Sequence, residues 1–193
     1  MPTAPMGQKR VLTRRVLLEK MMERYRAEGQ LEHLRYVGTA VPGYGSTDPK
    51  YMLIGDTPTA EDVRMKIPFT GRPGMLLKEL LTSIDLNREL IWSTNVVKYR
   101  TIADRDPSKL ELDASVPYLW EEIDLVRPKY LVLLGRYVTE QFFEGHSFQS
   151  LVGGWQKWSG YDVFPTYSLK AATLNLMTRP HLFTHFHKLG EVE

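Results

Sequence analysis

The chain has 193 residues, of which 42% are hydrophobic and 25% charged, a composition typical of a folded globular domain and not of a disordered segment. The net charge is only +2, and no apolar run approaches the roughly 18 residues that a membrane-spanning helix needs. Cysteine is absent, which excludes disulfides, a thiolate nucleophile and a cysteine-ligated metal or iron–sulfur cluster. We therefore expect a soluble, cytoplasmic protein.

The first 40 residues carry the most uneven charge, with eight Lys or Arg residues against four Glu. Residues 1–8 are predicted to form a flexible tail, and apolar residues from Val11 to about Ala27 recur at the three- and four-residue spacing of an amphipathic helix. This segment could face DNA phosphates, or it could be a solvated helix on the surface. We predict a basic tail and helix over residues 1–40, and a single globular domain over residues 41–193.

Short apolar runs alternate with helical patterns along the rest of the chain. Strands are predicted at residues 51–55, 90–92, 130–135 and 162–165, and helices at about 74–83, 117–126, 136–143 and 180–189. Strands that alternate with helices imply right-handed crossovers and a mainly parallel sheet. The pattern predicts an α/β fold with helices on both faces of the sheet.

Ligands of such sheets bind at the carboxyl ends of the strands. The residues at those positions here are Asp56, Asn95, Arg136 and the pair Tyr167-Ser168. The sequence has no phosphate-binding loop of nucleotide hydrolases, no glycine-rich dinucleotide motif and no nucleophile elbow of serine hydrolases. These three classes of enzyme are therefore disfavoured.

His181 and His185 have the spacing that would let two ligands of one helix share a metal ion. No acidic residue stands beside them in the sequence, and a surface helix explains them better. We predict no metal site and no cofactor.

The polar residues at the strand ends suit recognition of a nucleobase that has been flipped out of DNA. The amide of Asn95 can donate and accept hydrogen bonds at the edge of a pyrimidine, and the ring of Phe69 can stack on its face. The carboxylate of Asp56 can position water and stabilise a positively charged sugar. Taken singly, Asn95 could instead form a turn, Phe69 could be a core residue and Asp56 could cap a helix.

Five segments resemble, in the same order, the motifs of the family 4 uracil-DNA glycosylases. They are Gly-Asp-Thr-Pro-Thr-Ala-Glu-Asp at 55–62, Ile-Pro-Phe-Thr-Gly-Arg-Pro-Gly-Met-Leu-Leu at 67–77, Thr-Asn-Val-Val-Lys-Tyr-Arg at 94–100, Arg-Pro-Lys-Tyr-Leu-Val-Leu-Leu-Gly at 127–135 and Phe-Pro-Thr-Tyr at 164–167. The likeness runs from about residue 41 to 188. It implies a three-layer α/β/α sandwich around a four-stranded, mostly parallel sheet. It also implies hydrolysis of the N-glycosidic bond of a DNA pyrimidine, which leaves an abasic site.

The resemblance also implies roles for individual residues. Asp56 stands where the family has a Glu that helps to position the attacking water. Phe69 stands where the family stacks a Phe on the base, and Asn95 where an Asn reads the pyrimidine edge. Backbone amides around Asp56, Thr57 and Pro58 would face a carbonyl of the base.

The sequence departs from the family pattern at the ligands of the iron–sulfur cluster and at the residue that stabilises the leaving base. The family's four iron–sulfur cysteines are missing, with Tyr99 and Val116 at two of the positions, so we expect this region to close by packing. Ser168 replaces the His that stabilises the leaving pyrimidine anion, and the loop from Ser168 to Arg179 is longer than expected. Either the enzyme is slow, or its leaving group needs less help, or Ser168 or Lys170 substitutes.

Further residues are candidates for contact with DNA. Arg72, Lys98, Lys170 and Arg179 could bind phosphates or could be ordinary surface charge. An apolar wedge that fills the space left by the flipped base could come from Leu169, Leu174 or Leu176, which could instead pack under the loop.

The leading hypothesis is a monomeric, monofunctional DNA glycosylase that acts on uracil or on a bulkier modified pyrimidine, in DNA repair or on modified viral DNA. A second hypothesis is a DNA-binding module that has lost catalysis and recognises modified or abasic DNA. A third is an unrelated α/β protein that acts on a free nucleoside or nucleotide.

Overall fold

A computed structural model describes residues 13–28 and 36–192. The predicted tail of residues 1–8, and the basic residues Lys9 and Arg10, lie outside the described residues. In chain order the elements are α1 (Arg14–Glu28), β1 (Tyr36–Val37), β2 (Tyr44–Gly45), β3 (Tyr51–Gly55), α2 (Ala60–Met65), α3 (Gly71–Thr82), β4 (Ile91–Asn95), β5 (Arg100–Thr101), α4 (Lys109–Val126), β6 (Tyr130–Leu134), α5 (Arg136–Phe142), α6 (Phe148–Leu151), β7 (Gln156–Trp158), β8 (Tyr161–Thr166), α7 (Leu169–Leu174) and α8 (Arg179–Gly190). Short 3-10 helices lie at Arg88–Leu90, Ile102–Asp104 and Leu176–Thr178.

The central sheet has the strand order β2-β4-β3-β6-β8-β7. Its four inner strands, β4, β3, β6 and β8, are parallel, as the sequence predicts. The expected four-stranded sheet is incomplete, because β2 and β7 add antiparallel edge strands. These edge strands have two and three residues, too few to show a periodic pattern in the sequence. A separate two-stranded sheet joins β1 and β5.

Helices cover both faces of the central sheet, and the side chains of β3 point alternately to the two helical layers. Tyr51 and Leu53 point to a core shared with α3, α7 and α8. Met52 and Ile54 point to a second core shared with α1, α4 and α5. The fold is therefore a three-layer α/β/α sandwich, which confirms the prediction. None of the helices in the described part of the chain is long and apolar enough to cross a bilayer.

Helix α1 packs against α4 and extends the second layer. Leu18 belongs to the core on that side, and Arg24 pairs with Glu121 of α4 at 2.5 Å. Met21, Met22 and Tyr25 form part of a third buried cluster. The predicted helix in the basic segment is therefore present, and it packs on the remainder of the chain. The boundary between residues 1–40 and 41–193 stays a prediction.

Candidate active site

A cavity of about 380 Å³ lies at the carboxyl ends of the parallel strands. Its size falls within the range of small-molecule sites, about 300–1,000 Å³. Asp56, Phe69 and Asn95 all line it, although they are separated by up to 39 positions in the chain. Parallel strands place their carboxyl ends at one edge of a sheet, and this edge gathers the three side chains.

Asp56 lies in the turn that follows β3, and its Oδ1 accepts a hydrogen bond from the backbone N–H of Val138 in α5 at 2.7 Å. The carboxylate therefore caps a helix, but not the one that follows it in the sequence. That helix, α2, is capped by Thr59 and Asp62, whose side chains each bond the other's backbone N–H. Gly135 has a φ of 144°, and a Cβ there would lie 2.3 Å from Oδ2 of Asp56, so glycine is required at this contact.

Burial raises the pKa of Asp56 from 3.8 to about 7. The hydrogen bond from Val138 opposes this increase, and the nearby carboxylates of Asp106 and Glu140 add to it. A carboxyl group with a pKa near neutral can exchange a proton at physiological pH, which suits a general base.

Asn95 is the last residue of β4, and only 2% of its surface is exposed. Its Nδ2 is buried and makes no hydrogen bond to any residue that the structure describes. Leaving a buried donor unpaired costs about 1–3 kcal/mol. A cavity-lining amide with an unused donor is therefore a candidate ligand-recognition group.

Phe69 lies between α2 and α3, with 7% of its surface exposed. Its ring belongs to the core on the α3 side and also lines the cavity. Gly55 separates Phe69 from Asn95: a Cβ there would lie 2.5 Å from Asn95 Oδ1 and 2.9 Å from the Phe69 ring. The glycine lets the ring and the amide approach each other beside the strand end.

The other predicted site residues differ in their placement. Thr57 and Ser168 line the cavity, whereas Pro58 is buried and is not part of the lining. Pro58 also has no backbone N–H, so it cannot supply the predicted amide. Ser168 is the N-cap of α7, and its Oγ accepts a hydrogen bond from the N–H of Ala171 at 3.4 Å.

Two predicted DNA contacts are wrong. Lys98 is fully buried, and its Nζ donates to Glu122 Oε2 at 2.7 Å, Thr94 Oγ1 at 2.9 Å and the backbone oxygen of Asn95 at 3.0 Å. It therefore supports the strand end that carries Asn95 and cannot reach a phosphate. Leu169 packs in the core beneath the cavity, so it cannot insert into DNA.

The remaining DNA-contact candidates are accessible. Arg72 is exposed at the start of α3, close to the cavity-lining Pro73. Lys170 lines the cavity and lies 3.8 Å from the carboxylate of Asp104, and Arg179 pairs with Glu79. Leu174 lines the cavity and is 80% exposed, and Leu176 and Met177, which follow it in the chain, are 70% and 79% exposed.

The segment from Asp104 to Pro107 forms part of the cavity wall and is not among the site residues that the sequence predicts. Within it, Asp106 accepts a hydrogen bond from the hydroxyl of Tyr137 at 2.5 Å, and Arg136 donates to that hydroxyl. Arg136 was predicted from its position after β6. No motif marks the acidic segment, which follows the two-residue strand β5.

The residues at the expected cluster positions do not fit an iron–sulfur cluster, because the chain has no thiolate ligand. Tyr99 instead stacks between Tyr25 and Tyr36, with ring centroids 5.4 and 4.8 Å away. On α4, Ser115 faces these rings and lies 3.0 Å from the hydroxyl of Tyr25. Val116, the residue identified from the sequence, packs on the second core.

The side chains around His181 and His185 are not those of a metal site. His185 Nδ1 lies 2.8 Å from Thr166 Oγ1, and the imidazole stacks on the ring of Tyr167. Burial, with Lys188 and His181 nearby, lowers the pKa of His185 to about 4. Across residues 13–28 and 36–192, no three His, Asp or Glu side chains are grouped to hold a metal ion.

Comparisons with known proteins identify the family of this chain. The model of the uracil DNA glycosylase superfamily matches residues 42–188. A type-4 uracil-DNA glycosylase of Sulfurisphaera tokodaii is 34% identical over 185 residues, which cover 91% of this chain and 84% of that protein. The type-4 enzyme of Saccharolobus solfataricus is 37% identical over 163 residues (79% and 75%), and that of Thermotoga maritima 33% over 159 residues (80% and 82%). On this match, the chain belongs to the uracil DNA glycosylase superfamily.

Proposed function

We propose that the protein is a DNA glycosylase that hydrolyses the N-glycosidic bond of a pyrimidine flipped out of DNA. The observation that carries the proposal is the Nδ2 of Asn95, which lies in the wall of the cavity beside the ring of Phe69 and has no hydrogen-bond partner among the described residues. A pyrimidine edge offers an acceptor for this donor, and its face offers a surface for the ring. Membership of the superfamily, and relatives named type-4 uracil-DNA glycosylase, support the same activity.

In this mechanism Asp56 acts at the sugar. The bond from C1′ to the base nitrogen breaks, and its electron pair leaves with the base. The sugar passes through an oxocarbenium-like state, which the negative charge of Asp56 stabilises. The oxygen of a water molecule bonds to C1′, and its proton passes to the carboxylate. A pKa of about 7 lets Asp56 accept this proton near neutral pH.

Uracil, or a bulkier modified pyrimidine, is the proposed substrate base. Ser168 lines the cavity where the family resemblance places a His, and Asp56 is one methylene shorter than the family's Glu. Both replacements are smaller and leave more room around the base. The hydroxyl of Ser168 accepts from Ala171, and its own proton remains available to donate to the leaving base.

DNA would approach over the mouth of the cavity. Leu174 lines the cavity and is largely exposed, so it is the leading candidate for the wedge that replaces the flipped base in the helix. Arg72, Lys170 and Arg179 would contact phosphates, the last two by exchanging their carboxylate partners. We propose that one copy of the protein acts on each site.

Oligonucleotides with one uracil, one 5-hydroxymethylated or one glycosylated pyrimidine test this proposal. After incubation with the protein, alkali converts abasic sites into strand breaks. We expect breaks with at least one of these bases, and none with Asp56→Asn, which should keep its affinity for DNA. Absence of breaks with every base would overturn the proposal.

The role of Ser168 as a helix cap favours one second candidate, a DNA-binding module that recognises modified or abasic DNA without cleaving it. Such a module would bind the same oligonucleotides and leave them intact, with and without Asp56→Asn. Binding to duplex DNA that weakens steeply with salt would separate both candidates from a protein that acts on free nucleosides.

A further inference from the structure

We propose that Arg88 and Asp62 are positioning residues that hold the ring of Phe69 in place as the stacking surface for the flipped base. The inference rests on the proposed function, since it assigns Phe69 the role of base platform. Neither Arg88 nor Asp62 needs to touch the base. They act on the backbone on either side of Phe69.

Phe69 has an unusual backbone conformation, with a φ of 56°. Side chains larger than that of glycine rarely adopt this left-handed conformation, and a bulky residue keeps it only when its surroundings impose it. The direction of the ring depends on this φ value. A relaxed backbone would turn the ring away from the cavity wall, so the groups that impose the conformation also position the ring.

Arg88 binds the carbonyl side of this segment. Its Nη1 donates to the backbone oxygen of Phe69 at 2.9 Å, and its Nη2 donates to that of Pro68 at 2.6 Å. Only a planar guanidinium presents two donors in this fork, so Lys cannot replace both bonds. Arg88 lies three residues before β4, the strand that ends at Asn95. The same segment therefore sets the ring and the amide relative to each other.

Asp62 binds the residue that follows Phe69. Its Oδ1 accepts from the backbone N–H and from the hydroxyl of Thr70, each at 2.6 Å, and its Oδ2 accepts from the N–H of Thr59 at 2.8 Å. The carboxylate is buried, so its three donors are not shared with bulk water. Arg88 thus holds the carbonyls of the two peptides that flank Phe69, and Asp62 holds the N–H of the second of these peptides. Gly74 leaves room for the arrangement, because a Cβ there would lie 2.3 Å from the oxygen of Phe69.

A double-mutant cycle on single-turnover base release tests whether Arg88 acts through the ring. Phe69→Ala should slow release about tenfold or more, the usual contribution of aromatic stacking on a base. We expect Arg88→Met to slow release by a similar factor, and the double variant to be no slower than Phe69→Ala alone. Effects that multiply in the double variant would overturn the inference. Arg127→Met, which removes an exposed arginine at the end of α4 that is bonded to the backbone oxygen of Asp124, is the matched control and should leave the rate unchanged.

A measurement without substrate separates this inference from the proposed function. In protein labelled with 4-fluorophenylalanine, the fluorine NMR signal of Phe69 can be assigned by its loss in Phe69→Leu. We expect Arg88→Met, or the milder Arg88→Lys if Arg88→Met does not fold, to shift or split that signal. An unchanged signal would refute the positioning role of Arg88 even if the enzyme is active. If the wild-type protein releases no base but the signal responds, the positioning role stands and the proposed function fails.

Discussion

Replacing Asp56 with Asn should stabilise the fold while it removes activity. In the unfolded chain this carboxyl ionises near pH 3.8, and in the folded protein near pH 7. Between these values the folded protein keeps a proton that the unfolded chain has released, so the contribution of Asp56 to stability falls as the pH rises from about 4 to 7. The difference corresponds to about 4 kcal/mol above pH 7. Asn carries no charge at any pH, and its Oδ1 can still accept from the N–H of Val138.

Urea unfolding of both proteins at several pH values measures this effect. Asp56→Asn should match the wild type within about 1 kcal/mol at pH 4 and exceed it by up to about 4 kcal/mol at pH 8, which corresponds to an increase in Tm of about 10 °C. Asp48→Asn, at a side chain that is 94% exposed, is the control and should change stability by less than about 0.5 kcal/mol at either pH. A gain that is the same at pH 4 and pH 8 would refute the reasoning, because it would not come from ionisation of Asp56.

Three further predictions follow from the site. The rate of base release should rise about tenfold between pH 6 and pH 8, as Asp56 loses its proton, and a flat profile in single-turnover assays would contradict its role. Lys98→Met should lower the free energy of unfolding by about 3–5 kcal/mol because it leaves Glu122 buried and unpaired, whereas Lys98→Met combined with Glu122→Leu should recover much of this loss in urea titrations. Leu174→Ala should change Tm little, since the side chain is exposed, but should slow base release from duplex DNA several-fold more than from single strands. Equal slowing on both substrates would argue against a wedge.

The sequence allows the prediction that Asp56 and Asn95 lie close together, because each follows a short apolar run that is recognisable as a buried strand. The cavity position then follows from the geometry of parallel sheets. Phe69 was predicted through a motif resemblance, but its left-handed backbone and its two supports were not. The capping pattern of Thr59 and Asp62 was readable, yet the second bond of Asp62 to Thr70 depends on tertiary packing.

The predictions for Lys98 and Leu169 were wrong for one physical reason, which is that a sequence does not show which partner a charged or apolar residue meets. Lys98 lies in a segment with no acidic neighbour, and Glu122 reaches it from α4, 24 positions later. Helix α4 itself begins at Lys109 and not near Pro117, which lies inside it. The Ser-x-x-Glu pattern at 108–111 marks the true start of this helix.

The stacked tyrosines around Tyr99 have a practical consequence for how the protein matures. The cluster that packs α1 against Tyr99 and Tyr118 consists of ordinary tyrosine, methionine and alanine side chains, so it can form as the chain folds. Its strength should vary with temperature and denaturant, as packing does, and not with iron supply, chelators or oxygen.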